Sequence, residues 1–317
     1  MHLLKDIYNR DFKTLRVSLL SRCNLSCVYC TMGEDDIKDA NHTAPVDSVT
    51  LLQTIQQLHD LLQLETIRLT GGEPLLYHEL IPVIKGIKAM GIDEIKLTTN
   101  GFLLERMAEQ MKDAGMRSIN VSLDAIDEDV FFLMSKRSHV QRILDGIDKA
   151  VDAGLQVKIN AVIMKGVNDT QLLPLLDYAF ARNITIRFLE VMAMGHLHAE
   201  PAKYLFTQED ILSTIATKYN FKKINRADSS TANYWQTEAG NKFGIIANES
   251  EPFCHDCNRL RLDSDGNIYG CLSSNHPISL KHVTDTQTLI EKLQQAMDQK
   301  QVAKFVGSEL SMLHIGG

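Results

Sequence analysis

A regular alternation of strand-like and helical segments over the first 190 residues is the feature that most constrains the fold. The first strand-like run lies at 14–20, and apolar side chains then recur at helical spacing over 46–62. Later strand-like runs lie at 66–70, 94–98, 118–123, 157–163 and 185–191, and helical stretches lie near 78–90, 102–114, 139–153 and 169–181. Because each helix returns the chain to the same end of the sheet, this order predicts a parallel sheet, either doubly wound or an incomplete barrel.

The carboxyl ends of these strands carry most of the reactive side chains in this part of the chain. Active sites of parallel α/β folds gather at that edge, so we expect one shared mouth there. The glycine pair in Gly71-Gly72-Glu73-Pro74 lets backbone approach a ligand, and Glu73 is a candidate acceptor for a ligand ammonium. Other strand ends carry Thr98-Thr99-Asn100-Gly101, Ser122 with Asp124, and Glu190 with Met192.

The first strand-like run leads into the stretch S-R-C-N-L-S-C-V-Y-C, which holds Cys23, Cys27 and Cys30. A four-iron, four-sulfur cluster takes one ligand per iron, so three thiolates leave one iron open to bind and activate a small molecule. A structural zinc site is the main alternative, but zinc needs a fourth ligand, and the nearest later candidate, His42, stands alone in a polar loop. A disulfide suits an odd group of three thiols poorly.

A second set of thiols lies near the carboxyl end, at Cys254, Cys257 and Cys271. The C-x2-C pair is common in zinc knuckles, and His276 is a candidate fourth ligand, so zinc and iron–sulfur are both open interpretations of this set. The two sets together use all six cysteines of the chain. Metal ligation also suits thiols in a reducing compartment.

Basic side chains on otherwise apolar strands predict a phosphate-rich anionic ligand. Arg259 and Arg261 alternate in an extended segment, which puts both guanidinium groups on one side beside the second thiol set. Further cations lie on the predicted barrel strands at Arg16, Arg68, Lys158 and Arg187. The net charge of −7 argues against a nucleic-acid partner, which normally needs a basic face.

Two combinations of motifs carry a resemblance to a known family. The C-x3-C-x2-C motif followed by G-G-E-P resembles the radical S-adenosylmethionine (SAM) enzymes. The carboxyl-terminal C-x2-C-N-R-L-R-L and x13-C, with the final Gly-Gly, are similar to the MoaA family, the GTP 3',8-cyclases of molybdenum cofactor biosynthesis. The resemblance implies an incomplete (βα)6 parallel barrel of the radical SAM type over 1–195. A smaller mixed extension over 196–317 would close the barrel mouth and carry the second cluster.

The resemblance also implies a role for each candidate site residue. One 4Fe-4S cluster would be held by Cys23, Cys27 and Cys30 and would bind SAM, and a second, substrate-binding one by Cys254, Cys257 and Cys271. Contacts to SAM would come from Tyr29, Gly72, Ser122 and Met192. Contacts to GTP would come from Arg16, Arg68, Thr99, Lys158, Arg259 and Arg261. Gly316 and Gly317 would form a tail that enters the active site.

The activity that the resemblance implies is a lyase reaction, the first step of molybdopterin biosynthesis. Reductive cleavage of SAM would give a 5'-deoxyadenosyl radical that removes hydrogen from C3' of GTP, after which C3' bonds to C8. The implied partners are GTP, an external electron donor such as a flavodoxin-like protein, and a downstream cyclic pyranopterin monophosphate synthase. A homodimer is one option for its assembly. The chain departs from the family pattern at Ser21 and over 31–36, which puts local loop contacts in question.

Two other function classes fit parts of the sequence. One is a peptide-modifying radical SAM enzyme with an auxiliary cluster, although such extensions generally carry more cysteines. The other is a zinc-stabilised binding module without catalysis. No apolar run reaches the roughly 18 to 20 residues of a membrane span, and residues 1–10 lack the features of a signal peptide. We therefore expect a cytoplasmic protein that binds neither membrane nor nucleic acid.

Overall fold

The computed structural model describes residues 4–31 and 46–315. Twelve strands within these residues form one sheet. The strands of its parallel centre follow the chain order and agree with the predicted runs to within two residues at each end. They are β1 Thr14–Ser18, β2 Thr66–Thr70, β3 Glu94–Thr99, β4 Ser118–Ser122, β5 Gln156–Ile163 and β6 Thr185–Glu190. The predicted parallel α/β architecture is therefore confirmed.

Helices connect these strands. They are α1 Ser48–Leu62, α2 Leu80–Ala89, α3 Leu104–Asp113, α4 Glu128–Ser135, α5 Gln141–Asp152, α6 Leu172–Ala181, α7 Gln208–Ala216, α8 Thr286–Asp298 and α9 Met312–Ile315. The sequence patterns did not predict α4, which begins at a capping residue. The Asp127 carboxylate accepts hydrogen bonds from the backbone N–H groups of Asp129 and Val130 at 3.0 Å, so an aspartate before a short apolar run is the signal that was missed.

The carboxyl-terminal extension adds strands to both edges of the central sheet. They are β7 Phe221–Ile224, β8 Asn233–Thr237, β9 Lys242–Ile246, β10 Arg259–Leu262, β11 Asn267–Tyr269 and β12 Ile278–Ser279. Strand β9 pairs parallel with β6 and carries β8 and β7, whereas β10 pairs parallel with β1 and carries β11 and β12. The strands expected at 234–236 and 242–247 therefore extend the main sheet instead of forming a layer of their own.

Alternation along the strands separates an apolar face from a polar face. Leu15 and Val17 on β1 and Ile67 and Leu69 on β2 are completely buried, within the main core cluster that includes the helices. Burial of such a side chain contributes about 1.5–3 kcal/mol to folding. The residues between them therefore face the opposite side of the sheet, where the polar groups collect.

Strand direction determines which end of the sheet each cysteine set occupies. Cys23, Cys27 and Cys30 follow β1 and lie at its carboxyl end. Residues 254–257 precede β10, and because β10 is parallel to β1, they lie at the amino end of the sheet. The two cysteine sets are thus at opposite ends of the same strands. Among the described residues, no helix is long and apolar enough to cross a bilayer.

Candidate active site

A cavity of about 550 Å³ connects the two cysteine sets along the polar face of the sheet. Its walls include Thr14 and Thr66, the first residues of two strands, and Asn100 and Met192, which follow the ends of two others. The residues that the resemblance assigns to the clusters, SAM and GTP all line this cavity where they fall in the described ranges, whereas the candidates Glu73 and His276 do not line it. The assigned residues are Arg16, Cys23, Cys27, Tyr29, Cys30, Arg68, Gly72, Thr99, Ser122, Lys158, Met192, Cys254, Cys257, Arg259, Arg261 and Cys271. Gly316 and Gly317 lie outside the described residues.

The first cysteine set lies in a compact loop, and its thiols are partly buried and not in disulfides. Cys30 donates its backbone N–H to the Cys27 carbonyl at 2.8 Å, and the Cys23 sulfur accepts hydrogen bonds from Leu25 N at 3.4 Å and Asn100 Nδ2 at 3.7 Å. Burial, and then the charge of Glu73, raise the pKa of Cys23 to about 11. Bound iron would oppose such a shift, because a cation favours the thiolate.

The glycine pair after β2 holds this loop in place through close backbone packing. A β-carbon on Gly72 would lie 2.3 Å from the Arg22 carbonyl oxygen, and one on Gly71 would lie 2.6 Å from the Leu20 carbonyl oxygen. Gly72 N–H donates to the Leu20 carbonyl at 2.7 Å. The glycines are therefore required by the neighbouring cysteine loop itself, in addition to any ligand that approaches Gly72 from the cavity.

Glu73 has a different role from the one expected of it. Its carboxylate is completely buried and accepts hydrogen bonds from Leu75 N, Thr99 Oγ1 and Asn100 N at 2.9, 2.6 and 2.7 Å. Burial outweighs these bonds and raises the pKa of Glu73 to about 7. Because its oxygens are occupied by the loop after β3, Glu73 ties the β2 and β3 ends together and does not face a ligand ammonium.

We expect Glu73→Gln to lower the free energy of unfolding by about 1–3 kcal/mol, because an amide N–H₂ group would replace one accepting oxygen in a buried cluster of donors. Denaturant unfolding of the metal-free chain measures the change. Glu109→Gln is the matched control, since Glu109 lies on the exposed face of α3 and its loss should change stability by no more than about 0.5 kcal/mol. Equal stability of both variants would contradict the assigned role.

Tyr29 is fixed between the first cysteine loop and β4. Its hydroxyl donates to Asp124 Oδ2 at 2.9 Å, and Asp124 Oδ1 accepts the backbone N–H of Val162 at 2.8 Å. Burial raises the pKa of Asp124 to about 6 despite these bonds. Ser122 ends β4 and Met192 follows β6, so both lie at the same carboxyl edge as Tyr29 and the cysteine loop.

A row of cations crosses the polar face between the two cysteine sets. Arg261, Arg16, Arg68 and Lys96 are direct register partners on the neighbouring strands β10, β1, β2 and β3. Register partners point to the same face, and all four side chains line the cavity. The sequence analysis did not single out Lys96, although its alternation with Ile95 and Leu97 on a predicted strand was a usable signal.

Several buried guanidinium nitrogens in the cavity wall, in this row and on Arg187, lack a hydrogen-bond acceptor. Within the described residues, buried Nε of Arg16, Nη1 of Arg68, and Nε and Nη2 of Arg187 have no hydrogen-bond partner. Burial lowers the pKa of Arg16 well below its usual value, with further lowering by Arg261, Arg68 and Arg259. Burial and the charges of Arg187 and Arg259 lower the pKa of Arg68 to about 10. Crowded cations with buried N–H groups that lack an acceptor fit a polyanionic ligand.

Two separate segments hold the second cysteine loop. Arg10 donates to the Cys254 carbonyl at 3.0 Å, and Arg226 forms a 2.9 Å ion pair with Asp256. Ser229 donates its hydroxyl to the Asp256 carbonyl at 2.9 Å. The loop that bears Cys254 and Cys257 is thus held from the amino-terminal segment and from the connection between β7 and β8.

Lys300 is a further cavity residue that the sequence analysis missed. Its ammonium lies 3.0 Å from the Cys257 sulfur and 2.9 Å from the Arg259 carbonyl oxygen. Burial alone would raise the pKa of Cys257, but the charges of Arg259 and Lys300 lower it to about 6. Lys300 is 43 positions from Cys257 in the chain, so no local motif links the two.

The two sets of thiols fit iron–sulfur ligation by their chemistry. Each set brings three partly buried sulfurs that are not in disulfides to the cavity wall. Burial raises the pKa of Cys27 well above its usual value, and the charges of Asp124, Cys30 and Cys23 raise it further. No group of three or more His, Cys, Asp or Glu side chains in 4–31 and 46–315 converges closely enough to hold a single metal ion. The candidate zinc ligand His42 lies outside the described residues.

Two family models match consecutive parts of the chain. Residues 17–179 match the Radical SAM superfamily, and residues 184–305 match the family described as Molybdenum Cofactor Synthesis C. The first match runs from within β1 to within α6 and includes the first cysteine set, and the second contains β6 to α8 with the second cysteine set.

Curated relatives and solved structures agree with these matches. The GTP 3',8-cyclase of Staphylococcus haemolyticus (strain JCSC1435) is 38% identical over 278 residues, covering 86% of this chain and 82% of the relative. That of Helicobacter pylori (strain J99) is 37% identical over 303 residues, covering 94% and 93%.

Streptococcus suis SuiB bound to S-adenosylmethionine superposes with a TM-score of 0.66 at 14% identity, over 91% of this chain and 68% of that one. Native anSMEcpe with bound AdoMet gives 0.61 at 13% identity, over 90% and 81%. These structural likenesses concern the fold, whereas the sequence identities define the relationship. The chain belongs to the GTP 3',8-cyclase family of the radical SAM superfamily.

Proposed function

We propose that this enzyme converts GTP into its 3',8-cyclised nucleotide by radical SAM chemistry. The observation that carries the proposal is the cavity that joins two sets of three thiols through a row of cations that line it. The cysteine set at the carboxyl end would serve SAM and the set at the amino end would serve the substrate. We further propose that 1–195 forms the radical SAM partial barrel and that 196–317 forms the domain that carries the second cluster and the Gly-Gly tail.

The residues of the carboxyl end would hold a 4Fe-4S cluster and SAM. Cys23, Cys27 and Cys30 provide three thiolates and leave one iron for SAM, while Gly72 and Tyr29 lie in the adjoining wall. Ser122 and Met192 would contact SAM from the ends of two further strands. When bound, the cluster supplies the electron that cleaves SAM to a 5'-deoxyadenosyl radical.

The residues of the middle and the amino end would hold GTP. Arg16, Arg68 and Lys158 would bind the triphosphate, as would Arg259 and Arg261 from β10. Thr99 would contact GTP from the end of β3. A second 4Fe-4S cluster on Cys254, Cys257 and Cys271 would bind the guanine base. With its triphosphate and its base both bound, GTP would present C3' of the ribose toward the SAM end of the cavity. The cavity walls would exclude water from the radical.

The partners that follow from this proposal are an external one-electron donor of the flavodoxin kind and a downstream cyclic pyranopterin monophosphate synthase. A peptide substrate is the competing proposal, because a fold neighbour of this chain is SuiB bound to the precursor peptide SuiA. The cations on this face favour the nucleotide, since the guanidinium nitrogens of Arg16, Arg68 and Arg187 that lack an acceptor suit a triphosphate better than an uncharged peptide backbone.

Deuterium transfer tests the proposed reaction. The protein, reconstituted with iron and sulfide under nitrogen, is given SAM, a reductant and GTP deuterated at C3'. We expect 5'-deoxyadenosine that carries one deuterium per cyclised nucleotide formed, measured by mass spectrometry. Unlabelled GTP and a reaction without GTP are the controls. The substrate assignment fails if 5'-deoxyadenosine forms equally with and without GTP and no cyclised nucleotide is detected.

A further inference from the structure

Lys300 has a buried side chain whose ammonium group contacts a cysteine sulfur and a backbone carbonyl. Its side chain and backbone together are 8% exposed, and its Nζ reaches the Cys257 sulfur and the Arg259 carbonyl at 3.0 and 2.9 Å. In the described part of the chain, no Asp or Glu forms a salt bridge with it. Phe12 covers the other side, with its ring centroid 5.5 Å away. A buried cation needs a counter-charge, and the Cys257 thiolate is the group in contact with it.

The backbone that carries Lys300 is fixed against the other half of the second cysteine set. A β-carbon on Gly270, the residue before Cys271, would lie 1.7 Å from the Ala296 carbonyl oxygen. Ser274 Oγ donates to Gln299 Oε1 at 2.6 Å, and Gln299 Nε2 donates to the His276 carbonyl at 3.0 Å. The end of α8 is therefore packed on the Cys271 loop while Lys300 reaches across to Cys257.

This arrangement has a consequence for a bound cluster. A positive charge and an N–H···S hydrogen bond at a ligating sulfur both stabilise the reduced, more negative state of an iron–sulfur cluster. We infer that Lys300 is a positioning residue of the second cluster, where its hydrogen bond to the Cys257 sulfur raises the reduction potential. The inference rests on the proposed second cluster.

A chain that holds only the second thiol set allows the potential to be measured without interference. Cys23, Cys27 and Cys30 are replaced by alanine, the full chain is reconstituted under nitrogen, and the midpoint potential is followed by electron paramagnetic resonance during a redox titration. In this background, Lys300→Met is expected to shift the potential to a more negative value. Lys300→Arg, which retains a cationic donor, is expected to recover most of the shift.

Lys304→Met is the matched control, because Lys304 is exposed four positions further on and its removal changes the net charge equally. Its potential should equal that of the unsubstituted background. Lys300 has no such role if Lys300→Met binds the same amount of iron at an unchanged potential. The same conclusion follows if Lys300→Met and Lys300→Arg both lose iron together with stability of the metal-free chain, because Lys300 is then structural.

Loss of iron in Lys300→Met alone, with the metal-free chain equally stable and iron retained in Lys300→Arg, would support the role through a requirement for the cation. A background chain that binds no iron at all would instead refute the proposed second cluster. Failure of the inference is thereby distinguished from failure of the proposed function.

Discussion

Replacing Cys254, Cys257 and Cys271 with alanine is expected to separate SAM cleavage from cyclisation. Two four-iron clusters predict about eight iron atoms per chain, and the variant should bind about four. The first cysteine set is unchanged, so 5'-deoxyadenosine should still form. The guanine base, however, would no longer be bound by the second cluster. We expect the cyclised nucleotide to fall below detection, a loss of at least about 1000-fold, as for substrates displaced from their reacting geometry.

The comparison variant is the chain with Cys23, Cys27 and Cys30 replaced by alanine, which should also bind about four iron atoms. It should form neither 5'-deoxyadenosine nor the cyclised nucleotide, because it lacks the set at the SAM end. Iron analysis and quantification of both small molecules measure the difference. If both variants lost 5'-deoxyadenosine formation equally, the two sets would not have the separate roles that their positions at opposite ends of the sheet suggest.

The sequence patterns did not predict that the two cysteine sets lie at opposite ends of the sheet. The periodicity of residues 14–191 predicted the six central strands closely, because each strand is a local run of alternating side chains whose apolar half is buried. Arg259 and Arg261 were also expected on one face of an extended segment. That segment pairs with β1, 245 residues earlier, and no local pattern encodes such a pairing. Register alone brings Arg261 beside Arg16.

Glu73 and Lys300 show two further limits of local patterns. An acidic residue after two glycines suggested a ligand contact, but three donors from the β2 and β3 ends already occupy its oxygens. Lys300 lies at the end of an amphipathic helix, where a lysine is ordinarily solvated. Its burial depends on Gly270 allowing the helix end to approach the Cys271 loop, which is a tertiary contact.

The second large effect concerns the cation row. Arg16→Met and Arg68→Met should each weaken GTP binding by about 1.5–3 kcal/mol, or roughly 10- to 150-fold, through loss of charge-assisted hydrogen bonds to the triphosphate. Calorimetric titration of the reconstituted protein with GTP under nitrogen measures the affinity. Arg106→Met removes the same charge from the exposed face of α3 and should leave the affinity unchanged.

The same substitutions should have the opposite effect on the stability of the ligand-free chain. The folded-state pKa of Arg16 is lowered, so its charge costs stability at neutral pH, and the cost declines only as pH rises from the lowered folded-state pKa to the unfolded-state pKa. Methionine fills a similar volume without a charge. We therefore expect Arg16→Met to unfold at a higher denaturant concentration than the unsubstituted chain, whereas inorganic triphosphate should stabilise the unsubstituted chain more than the variant.

The affinity for GTP and the stability of the ligand-free chain are expected to change in opposite directions, and this combination tests the role of the cations. A substitution that merely damages the fold weakens binding and stability together, and one on an irrelevant surface changes neither. A substitution that weakens GTP binding and also makes the ligand-free chain more stable indicates that the replaced cation is held in this row to bind an anion. If Arg16→Met and Arg68→Met bound GTP as tightly as Arg106→Met, the triphosphate would not lie against this row, and the proposed orientation of GTP would be wrong.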